Sequence, residues 1–459
     1  MAGVGFALRR LARQDSLNAG LRSQVHAVAV TSGPWLLTVL ALGAVEAFAG
    51  DLLGRDTYRL FSTILVYNFA FSIVLASPVV MVATRLLSDM LYARDVSEAT
   101  GLLVGSLGLV FALHAAVGLP FYGFVVDMAP AERMLALAGF LLIGGVWVVS
   151  AFLSALKSYG SITLAFAIGI GGGCAGAAWL APEYGSLGLL AGFTAGLVLL
   201  LFGLVARVLA EYPAPAIRPL AILRGMVHYR GLALAGLLLG SAIWADKWIM
   251  WFAPGRVVVA GVMATHPTYD SAMFLACLTM APTAAMFLVV VETRFYEQYL
   301  SYYRRIAGHA TAQEIVREHS AILGTLTTGF RQVAVLQAVI LYVALLAAPG
   351  LIGMARGGVE LVPSFRFGVL GAACHSLLLC VVAILAYFDL RRELIVTGAT
   401  FLVLNAALTL AAQALGIGYA GYGYFLAALL SLALAYALAA WRLLRLPYIT
   451  FVANNRSLR

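Results

Sequence analysis

The sequence predicts an all-α membrane protein with 12 transmembrane helices in two six-helix lobes. Three observations lead there. First, the 459-residue chain is 63% hydrophobic and 11% charged, whereas a soluble domain carries about 25% charge. Second, apolar runs of about 20 residues recur from end to end, and a chain in hydrocarbon must satisfy its backbone within helices. Third, the 29 Lys and Arg are unevenly placed: with the N-terminus inside, 22 fall on cytoplasmic segments and 6 on outer ones. That asymmetry puts both termini in the cytoplasm. It also accounts for the net charge of +9 without invoking nucleic acid.

Taken in order, residues 1–24 alternate Phe6, Leu8, Leu11, Leu17 and Leu21 with Arg9, Arg10, Arg13 and Arg22. That spacing suits an amphipathic helix on the cytoplasmic face of the bilayer, or a basic segment that only fixes topology. Spans follow at 25–49, 60–84, 100–125, 133–155, 161–181 and 185–209, which form the first lobe (25–209). The run before Ala47-Phe-Ala49 is too long for a signal-peptide core, so the first span is read as uncleaved. Residues 210–230, with Pro213, Pro215 and Pro219 beside Arg218, Arg224 and Arg230, read as a cytoplasmic linker. The second lobe (231–445) has spans at 231–253, 271–293, 331–350, 365–388, 393–414 and 420–442, and a tail covers 446–459. Six and six fits the internal repeat common in transporters. Within the second lobe, 294–330 is the longest polar stretch. Its Tyr296, Tyr299 and Tyr303 beside Glu292, Arg294 and Arg304 suit a membrane-surface helix or a docking surface for a partner.

The chemistry concentrates at Trp244-Ala-Asp246-Lys247-Trp248. A charge at membrane depth is expensive unless it meets a partner, a cavity or a substrate path. On a continuous helix adjacent residues point about 100° apart, so Asp246 and Lys247 are expected not to satisfy each other. Glu46 lies at matching depth in the first span, which suggests a Glu46–Lys247 contact between lobes. Trp244, Trp248 and Trp251 suit an outer aromatic belt or a sugar-stacking face. Tyr67 and Asn68 read as interhelical glue or as part of a polar path, and Asn405 and Gln413 share that ambiguity. Gly169, Gly171, Gly172 and Gly173 mark close helix packing, not a nucleotide loop. The aromatic run up to Tyr424 reads as belt. The four cysteines read as small hydrophobes. The seven histidines lack ligand spacing, and no metal site, cofactor motif or catalytic triad is found, so no enzyme activity is expected.

Met1-Ala-Gly-Val-Gly-Phe6-Ala-Leu-Arg-Arg10, Ser32-Gly-Pro-Trp35, Trp244 to Trp248 through Pro254-Gly255, Glu292-Thr-Arg-Phe-Tyr-Glu-Gln-Tyr299, Tyr387-Phe-Asp-Leu-Arg-Arg392 and Asn405 to Thr409 form a set. Together they resemble the PelG family, the inner-membrane transporters of Pel exopolysaccharide systems, within the multidrug/oligosaccharidyl-lipid/polysaccharide flippase superfamily. The resemblance covers essentially the whole chain. It implies a flippase-like fold around a cavity opening alternately to either side, in a Gram-negative inner membrane. It also implies export of a polymer rich in N-acetylgalactosamine. The implied partners are a cytoplasmic glycosyltransferase and membrane subunits of the synthase complex, one of them a cyclic-di-GMP receptor. A neutral polymer favours a wall of hydroxyls, amides and aromatic faces, for which Trp35, Tyr67, Asn68, Trp244 and Trp248 are candidates. Asp246, Lys247 and, at the inner mouth, Arg85 are the charged members of the same path. A flippase for lipid-linked oligosaccharide, needing deep basic groups, and a scaffold that activates the synthase without transporting are the alternatives. A cation-coupled drug exporter fits least.

Overall fold

The computed structural model describes residues 55–156, 159–290, 295–354, 358, 360–416 and 419–453. The expected first span and the 1–24 segment, with Trp35 and Glu46, lie outside the described residues, as do Glu292 and Arg294. Among the described residues nine helices are long and apolar enough to cross a membrane, or ten when one bent pair counts as a span. One of these, the 53-residue Tyr159–Glu211, reverses at Gly185 (φ 58°, ψ −129°). Counting it as two brings ten to eleven, consistent with the twelve expected.

The chain divides into two compact units, with the boundary between Asp270 and Ser271. In the first, α1 (Arg55–Ala93), α2 (Ala99–Pro120), α3 (Pro130–Leu156) and α4 (Tyr159–Glu211) precede three short helices. These are α5 (Ala221–His228), α6 (Arg230–Ala242) and α7 (Ala245–Met250). A π-helical turn, Phe121–Val125, ends α2. The unit closes with a hairpin of β1 (Val257–Val259) and β2 (Met263–Thr265), Val257 facing Thr265. Helix α1 is the central post, with α2, α3 and α6 packed on it.

The second lobe was expected to open at residue 231, but packing carries 231–270 into the first unit. The reason is a seam of small residues. A Cβ on Gly236 would lie 2.7 Å from the Ser77 carbonyl oxygen, one on Gly240 2.9 Å from Ser77 Oγ, and one on Gly225 2.6 Å from Leu86. Such close backbone approach is what glycine permits. The expected 210–230 linker is likewise held down. Gly101 and Gly105 leave room for the carbonyls of Ile217 and Pro219, Thr100 Oγ1 donates to the Tyr212 carbonyl at 2.8 Å, and Arg218 pairs with Glu98 at 2.8 Å.

The two arms of α4 bear out the glycine-packing expectation. Gly188 faces Leu180, Gly192 faces Gly176 and Ala177, and Gly196 faces Gly173 and Gly169. The pairs step in opposite directions along the sequence, so the arms are an antiparallel hairpin. Gly171 points into open space.

The second unit takes in the rest of α8 (Pro267–Leu278), then α9 (Ala281–Val290), α10 (Tyr296–Ala307), α11 (Ala312–Met354), α12 (Leu361–Tyr387), α13 (Arg391–Leu415) and α14 (Tyr422–Leu444). One apolar cluster joins Ala272, Ala276, Ala344, Ala348, Phe365 and Val369. A second, at the other end of α12, joins Phe295, Tyr302, Ile322, Ile384, Leu443 and Leu446. Helix α11 starts at a capping box: the Thr311 N–H donates to Glu314 Oε2 at 2.9 Å, and the Glu314 N–H to Thr311 Oγ1 at 3.4 Å. It runs 43 residues, about 65 Å at 1.5 Å per residue, against a hydrocarbon layer of about 30 Å. Its first turns therefore project from the membrane, and α10 packs back along them.

Candidate functional site

The Asp246–Lys247 pair sits where an apolar run stops being one helix. Helix α6 ends at Ala242, Ile243 and Trp244 turn, and α7 restarts at Ala245. At this restart Asp246 is fully buried, and Lys247 Nζ lies 3.0 Å from Asp246 Oδ2. The expectation that these neighbours cannot pair is thus corrected. It assumed stiff side chains on a continuous helix, whereas the lysine stem folds back toward the break, its Nζ also reaching the Ile243 carbonyl at 3.3 Å. Tyr269 Oη donates to Asp246 Oδ2 at 2.8 Å, and Lys247 Nζ stands 5.7 Å from the Trp244 ring centre. The Glu46 half of the proposed inter-lobe contact lies outside the described residues.

A second carboxylate completes the cluster. Asp270 accepts from Trp251 Nε1 at 3.0 Å and from the His266 N–H at 3.0 Å. His266 caps α8: its Nδ1 accepts the Tyr269 N–H at 3.2 Å, while Nε2 lies 3.1 Å from the Pro254 carbonyl. Nδ1 thus accepts, and Nε2 is placed to donate. Pro267 at the first helical position, lacking an N–H, suits the start of α8.

Aromatic rings join these groups to α1. Tyr67 stacks on Trp251 at 4.7 Å and 8°, and on its other side lies Phe121 at 6.1 Å and 12°. Phe71 stacks on Trp248 at 5.5 Å and 10°. Trp251, buried, and Trp248, stacked on Phe71, therefore pack within the first unit, which corrects the lipid-belt reading for these two, while Trp244 is half-buried. The Trp248 indole N–H, buried, has no hydrogen-bond partner among the described residues. Tyr424 is corrected in the same way: it is buried in the second unit with its hydroxyl 2.8 Å from His375 Nδ1.

Of the predicted path, Tyr67, Trp244, Asp246, Lys247 and Trp248 come together. Asn68 neighbours them as a joint, not a wall. It is 1% exposed, donates to the Ala136 carbonyl at 3.0 Å and accepts from Tyr122 Oη at 2.6 Å. Tyr67 is a joint too, its hydroxyl donating to the Ala264 carbonyl at 2.9 Å. Asn68→Leu should therefore destabilise by about 1–3 kcal/mol by stranding the Tyr122 hydroxyl. Adding Tyr122→Phe should restore much of that loss, as read by thermal unfolding in detergent; no restoration would sink the assignment. Arg85 is not brought to the cluster. It lies 18 residues from Tyr67 along α1, about 27 Å, paired with Asp89 at 3.1 Å, and Tyr229 Oη donates to the same carboxylate at 3.0 Å. Sequence reasoning missed Phe121, Tyr122, His266, Tyr269 and Asp270. Of these, Pro267-Thr-Tyr269-Asp270, a helix start with an acid in its first turn, is the one legible signal.

In the second unit the predicted partner residues divide by face. Tyr299 and Tyr303 pack on the cluster around Phe295 and Tyr302, and burial pushes the Tyr303 hydroxyl pKa up. Tyr387 and Phe388 meet them, with Phe295 to Tyr387 at 5.3 Å and Tyr299 to Phe388 at 5.7 Å. Two stretches about 90 residues apart in sequence thus form one joint. Tyr296 is half-buried and Arg304 exposed. The polar face left open holds a groove of about 610 Å³ lined by Glu297, Ser301, Arg304, Arg305, His309 and Glu314.

Over residues 1–451 the sequence matches the family described as "PelG: Putative exopolysaccharide Exporter (EPS-E)". The chain belongs to the PelG family. No match is found among curated proteins. Among solved structures, a MATE protein in its straight conformation aligns with TM-score 0.64 at 14% identity, covering 92% of this chain and 96% of that one. An outward-facing multidrug resistance MATE transporter of the MOP superfamily gives 0.64 at 15%, covering 97% and 99%. A MOP superfamily transporter from Pyrococcus furiosus, described as having a binding pocket of reverse polarity, gives 0.64 at 14%, covering 97% of each chain. At such identities the likeness establishes the fold alone. This member of the PelG family is thus a multi-pass membrane protein with a MATE-like fold, and its family points to transport.

Proposed function

We propose that the chain exports an exopolysaccharide rich in N-acetylgalactosamine across the bacterial inner membrane during production of a biofilm matrix. It works by alternating access or as a conduit for the growing chain. The observation that carries the reading is the PelG match over residues 1–451 on a chain with the transporter fold. In this reading both termini and the projecting start of α11 face the cytoplasm. There the groove of α10 meets the glycosyltransferase or another synthase subunit, one of which is a cyclic-di-GMP receptor.

The site supports a neutral cargo. A lipid diphosphate needs available cations, yet Lys247 sits on Asp246 and Arg85 on Asp89, so each already has a counter-charge. Stacked rings beside the Trp248 N–H, which has no partner among the described residues, suit a sugar, which offers flat C–H faces and hydroxyl acceptors.

The test uses inverted inner-membrane vesicles holding the chain with its candidate glycosyltransferase and companions, fed labelled UDP-N-acetylgalactosamine. Labelled polymer should become protected from added glycosidase, with no lipid-linked intermediate. Trp248→Phe should leave the protein folded, because it removes a buried donor with no partner among the described residues, yet lower the protected fraction severalfold. Label on lipid with accessible polymer would favour the flippase, and loss of all polymer without the chain would favour the scaffold.

A further inference from the structure

The segment Ile217–Arg230 carries a feature that transport does not use. Helix α5 meets α6 at an 83° bend. Since α6 belongs to a membrane-crossing segment, α5 runs nearly in the plane of the membrane. Its inner face is committed: Ile222 is buried, and Gly225 packs against Leu86 and Val82 of α1. Its outer face is apolar as well. Ile217 is 44% exposed, Leu220 69%, Leu223 45% and Val227 76%. Leu220 caps α5, and spacings of three and four residues put Leu220, Leu223 and Val227 on one stripe, while Ile217 precedes the helix. Arg224 and His228 lie beside the stripe and Arg230 follows the bend, all exposed.

A short in-plane helix that met water on this side would present polar groups; this one presents Leu223 and Val227, with Leu220 at its cap. Leu234 and Leu237 on the adjoining α6 are exposed as well. An apolar face flanked by arginines, in the plane of a bilayer, is the pattern of an interfacial anchor that dips into the acyl boundary and meets phosphate with its cations. The opposing pull on Arg218 is already met by Glu98, which leaves Arg224 and Arg230 as the headgroup-facing pair.

We infer that α5 is a lipid-binding anchor, selective for anionic phospholipid, that holds the crossing between α4 and α6 at the membrane surface. It inserts Leu220, Leu223 and Val227 and binds headgroup phosphate through Arg224 and Arg230. The inference stands whatever the cargo of the transporter.

Two measurements on the full chain test it. In nanodiscs, with Cys174, Cys277, Cys374 and Cys380 replaced by alanine, a spin label on Val227→Cys should relax strongly with oxygen and weakly with a water-soluble nickel chelate. In native mass spectrometry from mixed micelles, the preference for phosphatidylglycerol over phosphatidylcholine should fall about fivefold with each of Arg224→Gln and Arg230→Gln. These side chains are exposed, so the variants should fold. Strong relaxation by the nickel chelate would overturn the inference. So would inaccessibility to both reagents, which would mean protein covers the stripe, or an unchanged lipid preference in the double variant.

Discussion

Asp246→Asn is expected to destabilise the protein by about 3–5 kcal/mol, the usual cost of removing one partner from a buried ion pair. The carboxylate is fully buried and holds two donors, Lys247 Nζ at 3.0 Å and Tyr269 Oη at 2.8 Å. Without its charge the ammonium keeps its desolvation penalty and loses a counter-charge 3.0 Å away. Lys247→Met should also destabilise, by removing a charged donor from a buried carboxylate. Asp246→Asn with Lys247→Met should be much milder than the sum, because the two charges leave together. Thermal unfolding in detergent gives the cycle; additivity within about 0.5 kcal/mol would show that the residues are not coupled. The vesicle assay then separates structure from transport. If the double variant folds and still exports, the pair is a joint; if it folds and does not, the charges belong to the path.

Gly192→Val is expected to abolish folding, or to leave only a small folded yield. Each arm of α4 has glycine where the other approaches, and a Cβ on Gly192 would overlap the backbone of Gly176 and Ala177. Backbone cannot rotate away as a side chain can, so the arms must separate. Overpacking of a close interface typically costs about 1–3 kcal/mol, and more where backbone must move. Gly171→Val is the internal control: the same substitution in the other arm of α4, but with open space around its Cβ. It should fold normally. Comparable loss in both variants, read by monodispersity on size-exclusion chromatography, would mean that the effect is helix propensity and not packing.

The spans were legible because membrane-crossing helices announce themselves by composition, and the glycine seam of α4 by its spacing. Continuity was not legible. Residues 231–253 look like one span because a break at Ile243–Trp244 changes no hydropathy. The pairing of Asp246 with Lys247 depends on that break, so the sequence argued against it. The boundary between the units was misplaced for a related reason: Gly236 and Gly240 fit against Ser77, more than 150 residues earlier, and nothing local reveals that partner. Asn68 was ambiguous in sequence because an amide at depth serves a joint and a path equally well. Its two partners, the Ala136 carbonyl and Tyr122 Oη, resolve it as a joint. The tyrosines of 294–303 showed their amphipathic spacing, but which face is covered depended on Tyr387 and Phe388, which only the fold brings near.

The unbroken run of α11 makes it a lever arm. The helix is continuous from its capped start at Thr311 into its membrane-crossing half, so a tilt is carried along it. A rotation of about 10° at mid-span would carry the Ala312 end through about 7 Å, and α10 with it. Whatever grips that tip would gauge the posture of the transporter, and could resist or reinforce its stroke by torque alone.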